Sequence, residues 1–282
     1  MNTSSPKPYL AVLAAAALAG SSGVFVKYME MPATSMAFVR TAVPVLILGV
    51  VMAIKGIALF RGNYRPMLWA SFLNMLRMYL FFVAFIYGSI ANVVLILFTW
   101  PIFVTILSAI FLKEIVSRKT WSLLAVAFTG IIIVFSNQEL NFSNKDFIGM
   151  AAALGTAAVY AMTVVIFKKA SASYTRIELI FYQNLVGSLV FLPFLLTNEP
   201  WPTQKDLILS TSHALLLGML GFSFFFYGLK RLPASQASLL AYFEIIVAMC
   251  FSIFWFKEPM SWNMLLGGAI IIGTTLSLSS GK

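Results

Sequence analysis

Residues 80–117 read LFFVAFIYGSIANVVLILFTWPIFVTILSAIFLKEIVS, and the first charges in this stretch are Lys113 and Glu114, close to its end. Gly88 and Ser89 divide it into the close of one apolar run and the whole of the next. Each run is about 20 residues long, enough for a helix to cross the hydrocarbon core of a bilayer. The pattern continues outward in both directions. Apolar runs at 9–28, 34–54, 67–88, 91–112, 120–136, 146–167, 177–197, 212–229, 235–256 and 260–279 are separated by short polar, Gly or Pro punctuation. An all-α polytopic membrane protein of ten transmembrane helices is expected, with consecutive helices antiparallel and no extramembrane domain.

Composition agrees. Of 282 residues, 61% are hydrophobic, against 19 Lys and Arg and 9 Asp and Glu, far below the roughly one-quarter charged share of a soluble domain. A water-soluble fold is excluded. The net charge of +10 would suit nucleic acid only on a solvated basic module, and no polar stretch is long enough to form one. Retention of Lys and Arg in cytoplasmic loops explains the charge instead. With the N-terminus inside, thirteen basic residues fall on one side: Lys7, Lys55, Arg61, Arg65, Lys113, Arg118, Lys119, Lys168, Lys169, Arg176, Lys230, Arg231 and Lys282. The other side has four, Lys27, Lys145, Lys205 and Lys257, and the remaining two basic residues lie within spans. Both termini are therefore expected in the cytoplasm. A cleavable signal peptide ending near Ala17-Leu18-Ala19 is the competing reading of the first run, but its apolar character continues through Gly23 to Val26, which suits a full span.

Slid on itself by 144 residues, the chain repeats. Phe81-Phe82 meets Phe225-Phe226, Leu95 meets Leu239, Ile102 meets Ile246, Ser108 meets Ser252, Lys113-Glu114 meets Lys257-Glu258 and Ser117 meets Ser261. Chance supplies several matches in so apolar a sequence, so the charged pair carries most of the weight. An offset of 143 places Phe38-Val39-Arg40 on Phe181-Tyr182-Gln183. Five spans recur as five spans, and an odd number per repeat inverts the second copy in the membrane. The expected organisation is a first five-helix repeat over 1–140 and an inverted second repeat over 141–282.

These features resemble the EamA-type members of the drug/metabolite transporter superfamily: ten spans in two five-helix halves, an Arg early in the second helix, and Leu112-Lys113-Glu114 and Phe256-Lys257-Glu258-Pro259 closing helices four and nine. The likeness extends over essentially the whole chain. At Phe243-Glu244-Ile245 many relatives carry proline after the carboxylate. Here Ile245 replaces it, while the matching first-half position keeps Pro101, which leaves the kink of helix nine in question. The resemblance implies a secondary carrier or facilitator of small polar metabolites, often an exporter.

Inverted repeats independently favour a carrier, because two near-equivalent halves can exchange conformations around a site near the membrane midplane. An ionised group at a helix centre costs on the order of 2.5 to 3.5 kcal/mol, so it must face protein, water or ligand. Arg40, Arg77 and Glu244 are such groups. Arg77 lies mid-span with Asn74 one turn away, and Glu244 is central in its span with Ala241 and Ala248 on its face, a surface suited to close helix approach. Arg40 has the polar repeat mate Gln183. An internal Arg–Glu bridge that merely fixes packing is one reading. Two cations against one carboxylate favour the other, a substrate with its carboxylate on Arg40 or Arg77 and its ammonium on Glu244. Tyr160, Tyr182 and Trp100, the last being the repeat mate of Glu244, could wall the pocket or simply pack; lining it, they would offer cation–π contact to an amine or sulfonium. Tyr242 lies about 200° around the helix from Glu244 and suits a wall less well.

Pro44 and Pro101 fall mid-helix as candidate hinges or static kinks. Gly20, Ser21, Ser22 and Gly23, with Gly155 and Thr156, are expected to allow tight helix crossing, and His213 to sit solvated or capping near the outer end of helix eight. One cysteine, Cys250, and one histidine form neither a disulfide nor a structural zinc site, and no cofactor is implied. No phosphate-binding loop is present, so any coupling must come from gradients; Glu244 is the candidate proton carrier, and passive exchange fits the sequence equally well. A membrane-embedded enzyme would need clustered acids or a nucleophile beside a base, and neither is visible; a channel would conduct without saturation. The expected activity is alternating-access export or exchange of a small polar metabolite across the cytoplasmic membrane of a bacterium. An amino acid or similar zwitterion is the first choice of substrate, with a nucleoside, an amine or S-adenosylmethionine as the alternative. The expected partners are the small polar metabolite, the lipid bilayer and, if transport is coupled, protons, with no nucleic acid and the oligomeric state open.

Overall fold

The computed structural model describes residues 6–136, 144–197, 201–257 and 259–279. Among these there are helices and connections and no strand. Glu258 of the second Lys-Glu pair, Lys282 and the expected repeat boundary at 140/141 lie outside the described residues. The helices are α1 (Lys7–Gly20), α2 (Ser22–Tyr28), α3 (Ala33–Ile54), α4 (Arg65–Tyr87), α5 (Ile90–Leu97), α6 (Trp100–Phe111), α7 (Arg118–Phe135) and α8 (Asn144–Ala170). They are followed by α9 (Arg176–Val190), α10 (Leu192–Thr197), α11 (Gln204–His213), a π-helical segment (Ala214–Gly221), α12 (Phe222–Arg231), α13 (Ala234–Leu240), α14 (Phe243–Phe254) and α15 (Trp262–Ser279).

Among the described residues eight helical stretches are long and apolar enough to cross a membrane: Lys7–Tyr28, Ala33–Ile54, Arg65–Tyr87, Asn92–Phe111, Arg118–Phe135, Lys145–Ala170, Gln204–Arg231 and Ala234–Phe254. The expected span at 260–279 is a shorter apolar helix, Trp262–Leu278. The expected span at 177–197 is divided at Phe191 into α9 and α10, because Pro193 just beyond cannot donate its bond to the preceding turn.

Several runs read as continuous from hydropathy are interrupted near their middles. The first breaks at Ser21, whose hydroxyl donates to the Leu18 carbonyl at 2.7 Å. The fourth breaks at Phe98–Thr99, where Thr99 Oγ1 donates to Ile96 O at 2.6 Å and Pro101 opens α6. The ninth breaks at Ala241–Tyr242 although Ile245 stands where proline was expected. Tight three-residue bonds replace the α-helical ladder there, Tyr242 N to Leu239 O and Glu244 N to Ala241 O, and Tyr242 Oη donates to the Phe98 carbonyl at 2.9 Å. The two interruptions thus brace each other across 144 residues of sequence. Lys113 and Lys257, also 144 apart, end their helices in the left-handed region with φ of 55° and 59°. Pro44, by contrast, lies inside an unbroken α3.

Helix contacts are close where side chains are small. Gly20 of α1 lies against Glu244, Val247 and Ala248 of α14, so closely that a Cβ there would sit 2.5 Å from the Glu244 carbonyl oxygen. This is the approach that Ala248 was expected to permit. Gly23, expected at a crossing as well, has open space around it. Gly155 meets Leu80 of α4, and Thr156 donates within its own helix to Ala152 O.

On the face carrying most of the basic loops, ties between segments are dense. Arg61 forms a two-pronged pair with Glu178, Nε to Oε1 at 2.5 Å and Nη2 to Oε2 at 2.8 Å, and this partner raises the Arg61 pKa above its ordinary value. Glu114 accepts from the Ala234 backbone N–H at 2.9 Å, capping α13 with the acid of the Lys-Glu pair. On the opposite face the Glu30 N–H donates to Asp206 at 2.8 Å and its carboxylate takes Lys205 at 3.1 Å.

Candidate functional site

Four helices bring their polar residues together in the interior. The Gln183 carbonyl on α9 accepts from Asn74 Nδ2 on α4 at 2.8 Å. Asn74 Oδ1 in turn accepts from Arg77 Nε one turn away at 3.2 Å, which fixes the guanidinium. Its Cζ lies 4.8 Å from the centre of the Tyr160 ring on α8, and that ring meets Trp100 at the start of α6 with centroids 4.7 Å apart. A chain of contacts therefore runs α9–α4–α8–α6. An aromatic face lies under the cation, worth about 0.5 to 2 kcal/mol depending on desolvation.

Arg40 on α3 and Glu244 in the first turn of α14 complete the group. Arg40, Arg77 and Tyr160 all act electrostatically on Glu244 or feel its field. Among the described residues neither arginine forms an ion pair with it, the pairs present being Arg61–Glu178 and Lys205–Glu30. Arg40, Arg77, Tyr160 and Glu244 are enclosed by helices yet keep part of their surface accessible, whereas Asn74, Trp100 and Gln183 are buried. Trp100 and Glu244 each stand at the start of a half-helix, α6 and α14. Such broken-helix starts carry partial positive charge and favour an anionic ligand group.

Tyr182 does not belong to this group. It is buried beside the 57–64 connection, where its hydroxyl accepts from the Phe60 N–H at 2.8 Å and its ring meets Phe60 and Tyr174. The reason is helical: 182 and 183 point about 100° apart, so with Gln183 on the α4 side Tyr182 faces the loop. Gln183 contributes its backbone carbonyl, and its side-chain Oε1 is buried without a partner. Tyr242 is buried and engaged with Phe98.

His213 corrects a second expectation. It is 2% exposed, with Nε2 at 2.8 Å from Ser22 Oγ, its ring edge-on to Phe25 at 5.6 Å and Nδ1 unpartnered. The sequence reading began this span at 212, whereas the helix begins at Gln204, so His213 lies inside it. The missed signal was Thr203-Gln204-Lys205-Asp206, a reciprocal cap in which the Thr203 hydroxyl accepts from Asp206 N and the carboxylate from Thr203 N, marking a helix start. His213 feels the charge of Arg40 and Ser22 is its hydrogen-bond partner, whereas sequence reasoning placed Ser22 at a helix crossing and His213 outside the site. Among the described residues no three His, Cys, Asp or Glu side chains are grouped as metal ligands.

The described chain is an apolar helical bundle whose interior holds Arg40, Arg77 and Glu244, and charged residues inside a membrane bundle mark a functional site. The EamA-like transporter family model matches residues 6–136 and again 147–280, and the chain belongs to that family. It is 27% identical over 192 residues to the S-adenosylmethionine uptake transporter of Rickettsia conorii (strain ATCC VR-613 / Malish 7), covering 67% of this chain and 63% of that relative. It is 25% identical over 257 residues to the pseudopaline exporter CntI of Pseudomonas aeruginosa (strain UCBPP-PA14), covering 89% and 88%. A protein of known crystal structure, 15% identical, superposes with a TM-score of 0.84 over 97% of this chain and 98% of that one, so the two share a fold.

Proposed function

We propose that this transporter is a secondary carrier of an amino acid or amino-acid-like zwitterion. It would work by alternating access between two inverted five-helix halves, ten spans in all, divided near 140/141. Both termini face the cytoplasm, the membrane is the cytoplasmic membrane of a bacterium, and transport is export or exchange. The observation that carries the reading is the internal charge set of two arginines and one glutamate, partly accessible and not bridged to one another. A substrate carboxylate on Arg40 or Arg77 and an ammonium on Glu244 would complete it, each contact being of the charge-assisted kind. Tyr160 and Trp100 wall the site, with Asn74 and Gln183 holding Arg77 in place. Glu244 is the proton carrier if transport is coupled, and the hinge candidates are Pro101, beside the break that opens α6, and Pro44, within the continuous α3.

S-adenosylmethionine is the second reading. It joins an amino-acid head to a sulfonium, so the same charges would serve, and the Tyr160 and Trp100 faces would suit the sulfonium. The relative that carries this substrate's name gives the reading its support. Counterflow into proteoliposomes with amino acids, amines, nucleosides and S-adenosylmethionine distinguishes the two. Saturable exchange of one class is expected, with Arg77→Gln reducing it about 10- to 100-fold, the loss of one charged hydrogen bond. Wild-type exchange by a folded Arg77→Gln protein would refute the site assignment.

A further inference from the structure

The basic face has arginines of two kinds. Arg61 is held by Glu178 through both prongs of its guanidinium. Arg176 and Arg231 are exposed and have no carboxylate partner among the described residues. They share the Tyr227 ring, with Cζ at 5.4 Å and 3.8 Å from its centre. Arg176 Nη1 reaches Ser223 Oγ at 3.3 Å and Arg231 Nη1 reaches Tyr227 O at 3.1 Å. Each guanidinium has five N–H donors in a planar fork, so most of that capacity is left open to solvent or to a headgroup. Lys230 beside them adds a third exposed cation.

Directly beneath Arg176 a groove of about 400 Å³ opens, with Leu48 of α3, Ile177 and Ile180 of α9, and Leu215, Met219 and Leu220 of the π-helical segment as its apolar walls, and Arg176 and Ser223 at its polar end. Leu215 and Leu220 are 40% and 43% exposed, so the groove opens sideways toward lipid. From Leu215 to Ser223 the groove follows about two turns of helix, which falls within the roughly 15 Å depth of one leaflet's hydrocarbon. Its apolar length and its cationic mouth together match one chemistry, a phosphate ester carried on a long hydrocarbon chain. A soluble anion would not use the groove, and a zwitterionic lipid would set its own cation against Arg176 and Arg231.

We propose that this groove is a binding site for an anionic phospholipid, with one acyl chain along Ile180, Leu215 and Met219 and the phosphodiester held between Arg176 and Arg231. Clusters of basic residues beside a membrane helix attract anionic headgroups in this way. The π-helical segment that forms one wall also abuts α3 beside the Arg40 carbonyl and Pro44, through Gly218. A lipid here would therefore press on the helix that carries Arg40.

Native mass spectrometry of the purified full chain tests this, using dioleoylphosphatidylglycerol, dioleoylphosphatidylcholine and water-soluble glycerophosphoglycerol as probes. The wild type is expected to retain phosphatidylglycerol in preference to phosphatidylcholine, and not the soluble headgroup. Arg176→Gln/Arg231→Gln should lower that preference about 30-fold, the effect of two basic contacts near a membrane surface, with an unchanged monodisperse elution since both side chains are exposed. Equal retention of the two lipids by the wild type, a preference surviving in the double variant, or binding of the soluble headgroup as strong as the lipid would each overturn the proposal.

Discussion

Gly20→Ala adds a single methyl group where α1 crosses α14. Its Cβ would lie 2.5 Å from the Glu244 carbonyl oxygen, 2.7 Å from Val247 Cβ and 3.0 Å from the Ala248 nitrogen. Two of these three atoms are backbone, so no side-chain rotation relieves the overlap. Restoring ordinary separations near 3.5 Å means parting the two helices by about 1 Å. Overpacking of this kind costs about 1 to 3 kcal/mol. The displaced peptide is that of Glu244 itself, and an error of about 1 Å in a positioned group can lower its effectiveness by up to about 100-fold. Thermal unfolding in detergent and counterflow in proteoliposomes should therefore both fall. Gly23→Ala, three residues on and with nothing within 4 Å, is the internal control; it should be neutral or gain up to about 1 kcal/mol from helix propensity. If Gly20→Ala behaved like Gly23→Ala in both assays, the packing of α1 on α14 described above would be wrong.

Glu244→Gln removes the candidate proton carrier while keeping its shape. It should abolish any response of transport to an imposed pH gradient and leave measurable exchange, and a gradient response that survived would exclude Glu244 from coupling. Lys113→Gly removes a Cβ from a left-handed position (φ 55°) and should raise the unfolding temperature, by up to about 1 kcal/mol of stability, with Lys257→Gly (φ 59°) acting likewise; a loss in both would show that the Lys side chains hold those helix ends. Tyr242→Phe deletes the hydroxyl that donates to Phe98 O and should destabilise by about 0.5 to 1.5 kcal/mol. An unchanged melting profile would mean the two half-helix breaks do not depend on each other.

The membrane class, the helical content and the family were legible in the linear chain because each rests on a quantity that adds along it. Transfer free energy summed over about 20 residues identifies a span, and a charged pair recurring at a fixed offset identifies a repeat. The candidate charges were legible for the same reason: Arg40, Arg77 and Glu244 are ionised residues in apolar runs, and such residues must be sheltered wherever the chain folds. That Asn74 lies on the same face as Arg77 also followed from local helical spacing; that it binds the Arg77 guanidinium came from the structure.

What hydropathy could not supply were features set by atoms distant in sequence. The break at Ala241–Tyr242 has no proline to announce it and is braced by the Phe98 carbonyl. Tyr160 joined Arg77 while Tyr182 turned to Phe60, although both are tyrosines on inner helix thirds. His213 became a buried partner of Ser22 because its helix began eight residues earlier than the apolar run. Gly20 and Gly23 look alike in sequence, yet one is pressed against α14 and the other faces open space. Amino-acid order fixed which groups needed shelter from the bilayer; the helix crossings decided which neighbour provides it. Burial free energy is a property of each residue, whereas side-chain direction and close contact belong to pairs that meet only in the folded chain.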